Sequence, residues 1–315
     1  MGAVGNKSME SMAAEGSGRW HIMTVDVEDY FMVEAFSGSV RMDSWDNWPS
    51  RVVNNTRKIL DLFDRHEVKG TFFIVGWVAE KFPSLVQEIH RRGHELACHS
   101  YWHRTVYSLT PDEFRQDTHS AVRAIEDAAG VKVQGYRAPS WSITKSCLWA
   151  LDVLAEEGFT YDSSIYPIRH DLYGVPGAQR FPYAITCKNG KSLREFPPTT
   201  VRILGQNIPA AGGGYLRIFP ISYTNWVFRK FEREYGERVV VYVHPWELDP
   251  EQPRISKSLK STVRHYTGLS STADKLEKLL AKYTFGTYSQ LQVPKEFPYV
   301  GEEPAPSIAS LKGAS

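Results

Sequence analysis

Apolar residues recur along this chain in two alternating rhythms. Short unbroken runs have the length and the β-branched or aromatic content of buried strands: His21–Val27, Gly70–Val75, Glu95–Cys98, Val131–Tyr136, Phe159–Asp162, Arg194–Phe196 and Arg238–Val243. Between them lie segments whose apolar positions fall three and four apart. Arg51 to His66 pairs Val52/Val53, Ile59/Leu60 and Leu62/Phe63, Ser84 to Arg92 runs up to Gly93, and Thr144 to Glu157 stops at Gly158. The clearest helix is Pro111–Ala129: Thr110 suits the N-cap, Pro111 the first helical position and Gly130 the terminus.

A repeated strand–helix alternation predicts an α/β fold around a parallel sheet, open or closed into a barrel. In both arrangements reactive groups collect at the carboxyl ends of the strands. The segment Gly190 to Arg217, with Gly212-Gly213-Gly214, interrupts the alternation and reads as loops and short strands over one face. Past Pro250 two amphipathic helices are expected, Ile255–Tyr266 and Thr272–Tyr283, the second with Leu276, Leu279 and Leu280 on one face. Lys257, Lys260 and Arg264 read as a solvated helix face. The resulting division is a disordered tail over 1–19, one large unit over 20–250, a helical extension over 251–293 and a second disordered tail over 294–315.

Composition narrows the function classes. Hydrophobic residues make up 42% and charged residues 23% of 315, ordinary for a globular chain. A formal net charge of +1 provides no whole-molecule field for nucleic acid. Three widely spaced cysteines, Cys98, Cys147 and Cys187, form no CxxC pair and suggest a reducing compartment. No run approaches the roughly 20 apolar residues of a membrane span, and Met1 to Trp20 lacks the apolar stretch of a secretory signal. Cytoplasmic residence, with peripheral membrane association left open, is the default expectation. The 9 Trp and 16 Tyr suit a protein that stacks on flat faces, sugars included, although cores use the same residues.

Candidate chemistry sits where strands end. His99 and His103, four apart in His99-Ser100-Tyr101-Trp102-His103, can meet one cation if the residues between them turn. Asp26, Glu28 and Asp29 crowd the end of the first strand, which is costly unless something cationic neutralises them. Together these residues offer an Asp/His/His set, the three protein ligands of a catalytic zinc site. Arg137, two residues before Pro139, has a planar fork suited to a carboxylate. His244 ends the strand Val239–Val243 and suits a general acid, with Asp162 as the carboxylate that would hold it protonated. Each residue also has a plainer reading: surface histidines, a solvated acidic loop, an arginine beside a rigid turn, an aspartate in a turn. Trp141 fits a core position and a sugar-stacking wall equally.

The set resembles the polysaccharide deacetylase family (carbohydrate esterase family 4, the NodB-homology domain). Five stretches carry the likeness, in the family's order and spanning about residues 20 to 250: Thr24 to Asp29, His99 to His103, Arg137 to Trp141, Tyr161 to Ser164 and Val243 to Trp246. Within the family, the opening Asp26 to Phe31, the segment Gly212 to Arg217 and the helical extension resemble the branch associated with exosortase and exopolysaccharide gene clusters. The resemblance implies a distorted (β/α) barrel over 20–250 that removes N-acetyl groups from amino sugars of a polysaccharide or its lipid-linked precursor. It implies a divalent metal, Zn2+ first, with His99 and His103 as ligands. Asp26 would be general base and His244 general acid, Arg137 would position Asp26, and Asp162 would tune His244. Backbone N–H groups near Ser140 would hold the oxyanion, and Tyr30, Ser140, Trp141 and Trp246 are expected around the N-acetylated glycan.

One position departs from the family. Its common opening has two adjacent aspartates, the second ligating the metal, whereas this chain has Val27 there. Glu28 or Asp29 must take that role. In a straight strand Glu28 shares a face with Asp26; if the chain turns, Asp29 can reach, and as the shorter acid at a loop start it is placed first. Two other function classes compete: the same barrel acting on a non-sugar amide, and a glycan-binding module without chemistry.

Overall fold

All seven residues of the first strand, His21–Val27 (β1), are buried, which requires cover on both faces. In the computed structural model, which describes residues 20–170, 172–255 and 259–291, β1 lies inside a nine-stranded sheet ordered β10-β1-β2-β3-β4-β5-β7-β6. The strands are β2 (Thr71–Ile74), β3 (Glu95–Cys98), β4 (Gly135–Tyr136), β5 (Tyr161–Asp162), β6 (Tyr183–Thr186), β7 (Ser192–Glu195) and β10 (Val240–Val243). β6 pairs antiparallel with β7, and the other neighbours run parallel. A separate hairpin joins β8 (Thr200–Ile203) to β9 (Gln206–Pro209). The ninth strand of the main sheet, β11 (Phe285–Gly286), pairs with the start of β1, so the sheet reaches into the expected extension.

Helices cover the sheet: α1 (Val52–Arg65), α2 (Gly76–Lys81), α3 (Pro83–Arg91), α4 (Pro111–Ala129), α5 (Trp149–Glu156), α6 (Gly213–Ile218), α7 (Ile221–Lys230), α8 (Leu259–Tyr266) and α9 (Leu269–Leu280). α4 starts as its sequence predicts. Thr110 Oγ1 accepts from the Glu113 N–H at 3.3 Å, Glu113 reaches back to the Thr110 N–H at 2.8 Å, and Gly130 ends the helix at φ 71°. Among the described residues no helix is long and apolar enough to cross a membrane. Cys98, Cys147 and Cys187 are buried free thiols.

The sheet curls into an incomplete barrel. The edge of β10 is met by a side chain and a single bridge instead of a full strand. Thr199 Oγ1 donates to Val240 O at 3.0 Å and accepts from Val240 N at 2.7 Å, and Gly212 bridges Tyr242. Glycine is required there: at Gly212 φ is +148° and a Cβ would lie 2.4 Å from the Tyr242 ring. The α/β barrel expectation holds in this distorted form.

Element ends differ from the sequence reading for local reasons. The β4 run shrinks to two residues, Gly135–Tyr136, preceded by Gln134, whose carbonyl accepts from Thr160 N at 2.9 Å. The helix expected from Thr144 begins at Trp149, its first turn being a tight 3-10 turn over Lys145–Cys147. The C-terminal helices run over Leu259–Tyr266 and Leu269–Leu280, separated by Gly268 at φ 82°. The 1–19 and 294–315 tails, Lys257 and the side chain of Lys260 lie outside the described residues.

Candidate active site

The sequence Asp26-Val27-Glu28-Asp29 has to send three carboxylates in three directions, and a sharp turn does it. Glu28 N–H closes back onto Asp26 O at 3.0 Å, ending β1. Asp26 remains on the strand, Glu28 folds over the strand ends, and Asp29 leaves the site.

Glu28 meets the two histidines. One ligand atom from each of Glu28, His99 and His103 lies within 4.8 Å of the other two, and all three residues are buried. His103 Nε2 is 2.5 Å from Glu28 Oε2. His99 leaves β3 with its Nδ1 2.8 Å from Arg137 O. A carbonyl only accepts, so His99 carries its proton on Nδ1 and keeps the Nε2 lone pair. Ser100 and His103 both adopt left-handed backbone, at φ 64° and 51°, which lets the second imidazole return to the first across the turn. Asp117 on α4 holds that turn, accepting from Ser100 Oγ at 2.6 Å, Tyr101 N at 2.7 Å and Arg104 Nη2 at 3.3 Å.

Asp26 and Arg137 form the second half of the site. Arg137 is fully buried, and its Nη1 donates to Asp26 Oδ1 at 2.6 Å and to Thr24 Oγ1 at 2.9 Å. Its Nη2 donates to Ser163 Oγ at 3.1 Å, and the guanidinium lies 4.0 Å from the Phe73 ring centroid. Trp141, at φ 55°, packs 4.8 Å from the same guanidinium. His244 lies across from these groups, its Nε2 3.8 Å from both Asp26 Oδ2 and Glu28 Oε1.

Charge and burial set the protonation states. Burial would raise Glu28, but the facing His103, His244 and His99 outweigh it and hold the carboxyl far below its usual range. Burial lowers His99 to about 4 despite the neighbouring acids. Burial also works against a charged His244, yet Glu247, Glu28 and Asp26 together lift it to about 9. His103 is raised in the same way, Glu28 outweighing burial.

Several expectations are corrected by these positions. Asp29 does not approach the histidines: its carboxylate accepts from Ser50 Oγ at 2.6 Å, Arg51 N at 2.9 Å and Val52 N at 3.2 Å, so it caps α1. Asp162 does not touch His244. It accepts from Ser164 Oγ at 2.5 Å and sits against buried Glu195. Burial raises both carboxyls, and the charge of Asp162 raises Glu195 further, so Glu195 keeps the proton. Tyr30 is fully buried against Phe31, so its side chain presents no surface to a glycan. Trp246 is 6% exposed, and its Nε1 donates to Glu28 Oε1 at 2.9 Å, making it a holder of Glu28 and not a sugar wall. Trp141, 7% exposed, is a wall of the Arg137 pocket. Ser140, at φ 53°, is half-buried on the turn after β4.

Sequence reasoning missed Glu247 and Arg217. Glu247 Oε2 lies 3.0 Å from His244 Nδ1. Its position three residues after His244 was the available signal. Arg217, which donates to Glu247 Oε1 at 2.6 Å, ends the noted glycine segment.

The donor set fits a divalent cation. One carboxylate and two imidazoles converge, the His99 tautomer is fixed by a carbonyl, and Glu28 is oriented by an indole N–H, the outer contacts that metal ligands ordinarily have. His103 Nδ1 is buried without a partner, so that ring is held from the Nε2 side alone.

Comparison with known proteins bears on the family and the fold. Residues 39–161 match the polysaccharide deacetylase family, and residues 163–292 match a domain of unknown function, DUF3473. The chain is 33% identical over 146 residues to the peptidoglycan-N-acetylglucosamine deacetylase of Bacillus cereus, covering 45% of this chain and 51% of that protein. It is 30% identical over 100 residues to the chitooligosaccharide deacetylase of a Bradyrhizobium strain, covering 32% and 43%. A bifunctional xylanase/deacetylase of Pseudobutyrivibrio xylanivorans is 32% identical over 111 residues, 35% of this chain and 18% of that one. The chain thus spans about half or less of these curated relatives. Among solved structures, a Mycobacterium smegmatis protein assigned to the polysaccharide deacetylases superposes with a TM-score of 0.56 at 21% identity, covering 90% of this chain and 96% of the other. The allantoinase PuuE superposes at 0.54 with 14% identity, covering 84% and 85%; both likenesses are of fold. The first part of the chain is thus similar to polysaccharide deacetylases over residues 39–161, and the part that follows matches DUF3473 over residues 163–292.

Proposed function

We propose that this protein is a metal-dependent hydrolase that removes N-acetyl groups from amino sugars of a polysaccharide or its lipid-linked precursor, acting in exopolysaccharide synthesis. The observation that carries the reading is the convergence of Glu28, His99 and His103 beside the Asp26–Arg137 pair, with His244 across from them. Glu28, His99 and His103 would hold the cation, Zn2+ being our choice from the nitrogen-rich donor set. When bound, it supplies polarisation of the acetyl carbonyl and acidification of water to a pKa of about 7.

The chain's own groups do the rest. Asp26, held by Arg137 Nη1, accepts the proton of the attacking water. The backbone N–H of Ser140 would serve the oxyanion, those of Trp141 and Ser142 being already bonded to Ala138 O and Pro139 O. His244, protonated at neutral pH by its acidic neighbours, donates from Nε2 to the departing amine. Purified protein supplied with zinc should release acetate from N-acetylglucosamine oligomers and stop when chelated, and His103→Ala should lose turnover. Full activity after chelation, or turnover of small cyclic amides without any acetylated sugar, overturns the proposal.

A further inference from the structure

We infer that Glu247, clamped by Arg217 and by the C-terminal helices, is the positioning residue through which His244 donates its proton; this rests on the deacetylase reading above.

Both oxygens of Glu247, a fully buried carboxylate, are engaged. Oε2 accepts from the His244 backbone N–H and from its ring Nδ1, each at 3.0 Å, and Oε1 accepts from Arg217 Nε at 2.6 Å. Because a carboxylate accepts and does not donate, the Nδ1 position of His244 carries hydrogen and the ring is locked with Nε2 toward Asp26 and Glu28. When the C–N bond breaks, the Nε2 proton passes to the leaving nitrogen, and the other hydrogen stays on Nδ1, bonded to Glu247, so that the ring is left neutral. The proton Asp26 takes from water balances the one His244 gives up.

Arg217 is itself anchored. It is 4% exposed, and Nη1 donates to His265 O at 2.7 Å and Thr267 O at 2.8 Å, with Nη2 to Arg264 O at 3.1 Å. Those carbonyls belong to the last turn of α8 and the residue beyond it, where a helix leaves acceptors without intrahelical partners and carries partial negative charge. On the far side Lys275 of α9 donates to Arg217 O at 2.6 Å. Gly268 packs so close that a Cβ would lie 2.5 Å from Arg217 O. The second half of the chain therefore reaches the proton donor through one unbroken series, from the end of α8 through Arg217 and Glu247 to His244.

The test compares two leaving groups. An N-acetylglucosamine oligomer needs its amine protonated as it leaves; 4-nitrophenyl acetate expels a phenolate that does not. Glu247→Gln should lower kcat on the oligomer about 100-fold, with KM within about threefold, while ester turnover falls less than about threefold. Glu247→Asp should recover part of the loss, and Arg217→Met should fall between. Equal losses on both substrates, or a Glu247→Gln enzyme with wild-type kcat on the oligomer, overturn the positioning role alone. Wild-type protein inactive on both substrates overturns the deacetylase reading and this inference with it.

Discussion

Trp246 Nε1 donates to Glu28 Oε1 at 2.9 Å, joining the turn that follows β10 to the acid that folds back over the end of β1. The indole is packed between two imidazoles, 5.1 Å from His244 and 4.2 Å from His265 with planes within 22° and 16°. Phenylalanine keeps the stack and removes the N–H. Trp246→Phe should therefore fold normally and bind zinc about 10 to 100-fold more weakly, because an oriented ligand is exchanged for a free one. Competition titration with a chromophoric chelator measures this; unchanged affinity would mean that the bond does not hold the ligand.

Glu28 and Asp29 are adjacent in sequence and opposite in consequence. Glu28→Gln should abolish stoichiometric metal in the purified protein. Asp29→Ala should leave metal binding intact but remove the cap of α1, costing about 1–3 kcal/mol whether or not metal is present. Metal analysis and urea denaturation on both variants separate the roles. Stoichiometric metal in Glu28→Gln together with its loss in Asp29→Ala would reverse the assignment.

The histidine turn depends on one carboxylate outside the site. Asp117 is 4% exposed and gathers donors from Ser100, Tyr101 and Arg104, stabilising left-handed backbone at two non-glycine residues. Removing it leaves buried donors unpaired, at about 1–3 kcal/mol each. Asp117→Ala should lower stability by about that amount or more and weaken metal binding, since His103 would no longer be held opposite His99. A variant destabilised to that extent with wild-type metal affinity would show that the turn keeps its shape without Asp117.

What the sequence discloses follows from how locally each feature is determined. α4 was legible because its cap, first-turn proline and terminal glycine act within a few residues. The His99/His103 spacing was legible because one turn of chain sets it. Asp29 was misread because the sharp turn after β1 and the start of α1, some twenty residues later, decide which acid faces inward. Asp162 was misread for a similar reason, since its partner Glu195 arrives from β7. Arg217 could not be found at all by spacing: it meets Glu247 across 30 residues and α8 across almost 50.

His94 should make the fold acid-sensitive independently of the metal site. Its ring is 3% exposed between Phe63 and Phe72, and Nδ1 accepts from Gly70 N at 3.2 Å, so the neutral tautomer carries its proton on Nε2, which has no partner. Burial, with Lys69 adding, lowers its pKa to about 3. The unfolded chain takes a proton there near pH 6.5 and the folded one refuses it, so this contribution is complete above pH 6.5 and lost as the pH falls toward 3. Between pH 7 and pH 5 the loss amounts to about 2 kcal/mol. His94→Asn places an uncharged acceptor near the Gly70 N–H and does not titrate; it should be less stable at pH 7, through lost ring packing, and lose less stability by pH 5. Urea denaturation of both proteins at pH 7, 6 and 5, with chelator present to remove metal effects, gives the two slopes, and parallel slopes would exclude His94 as the source.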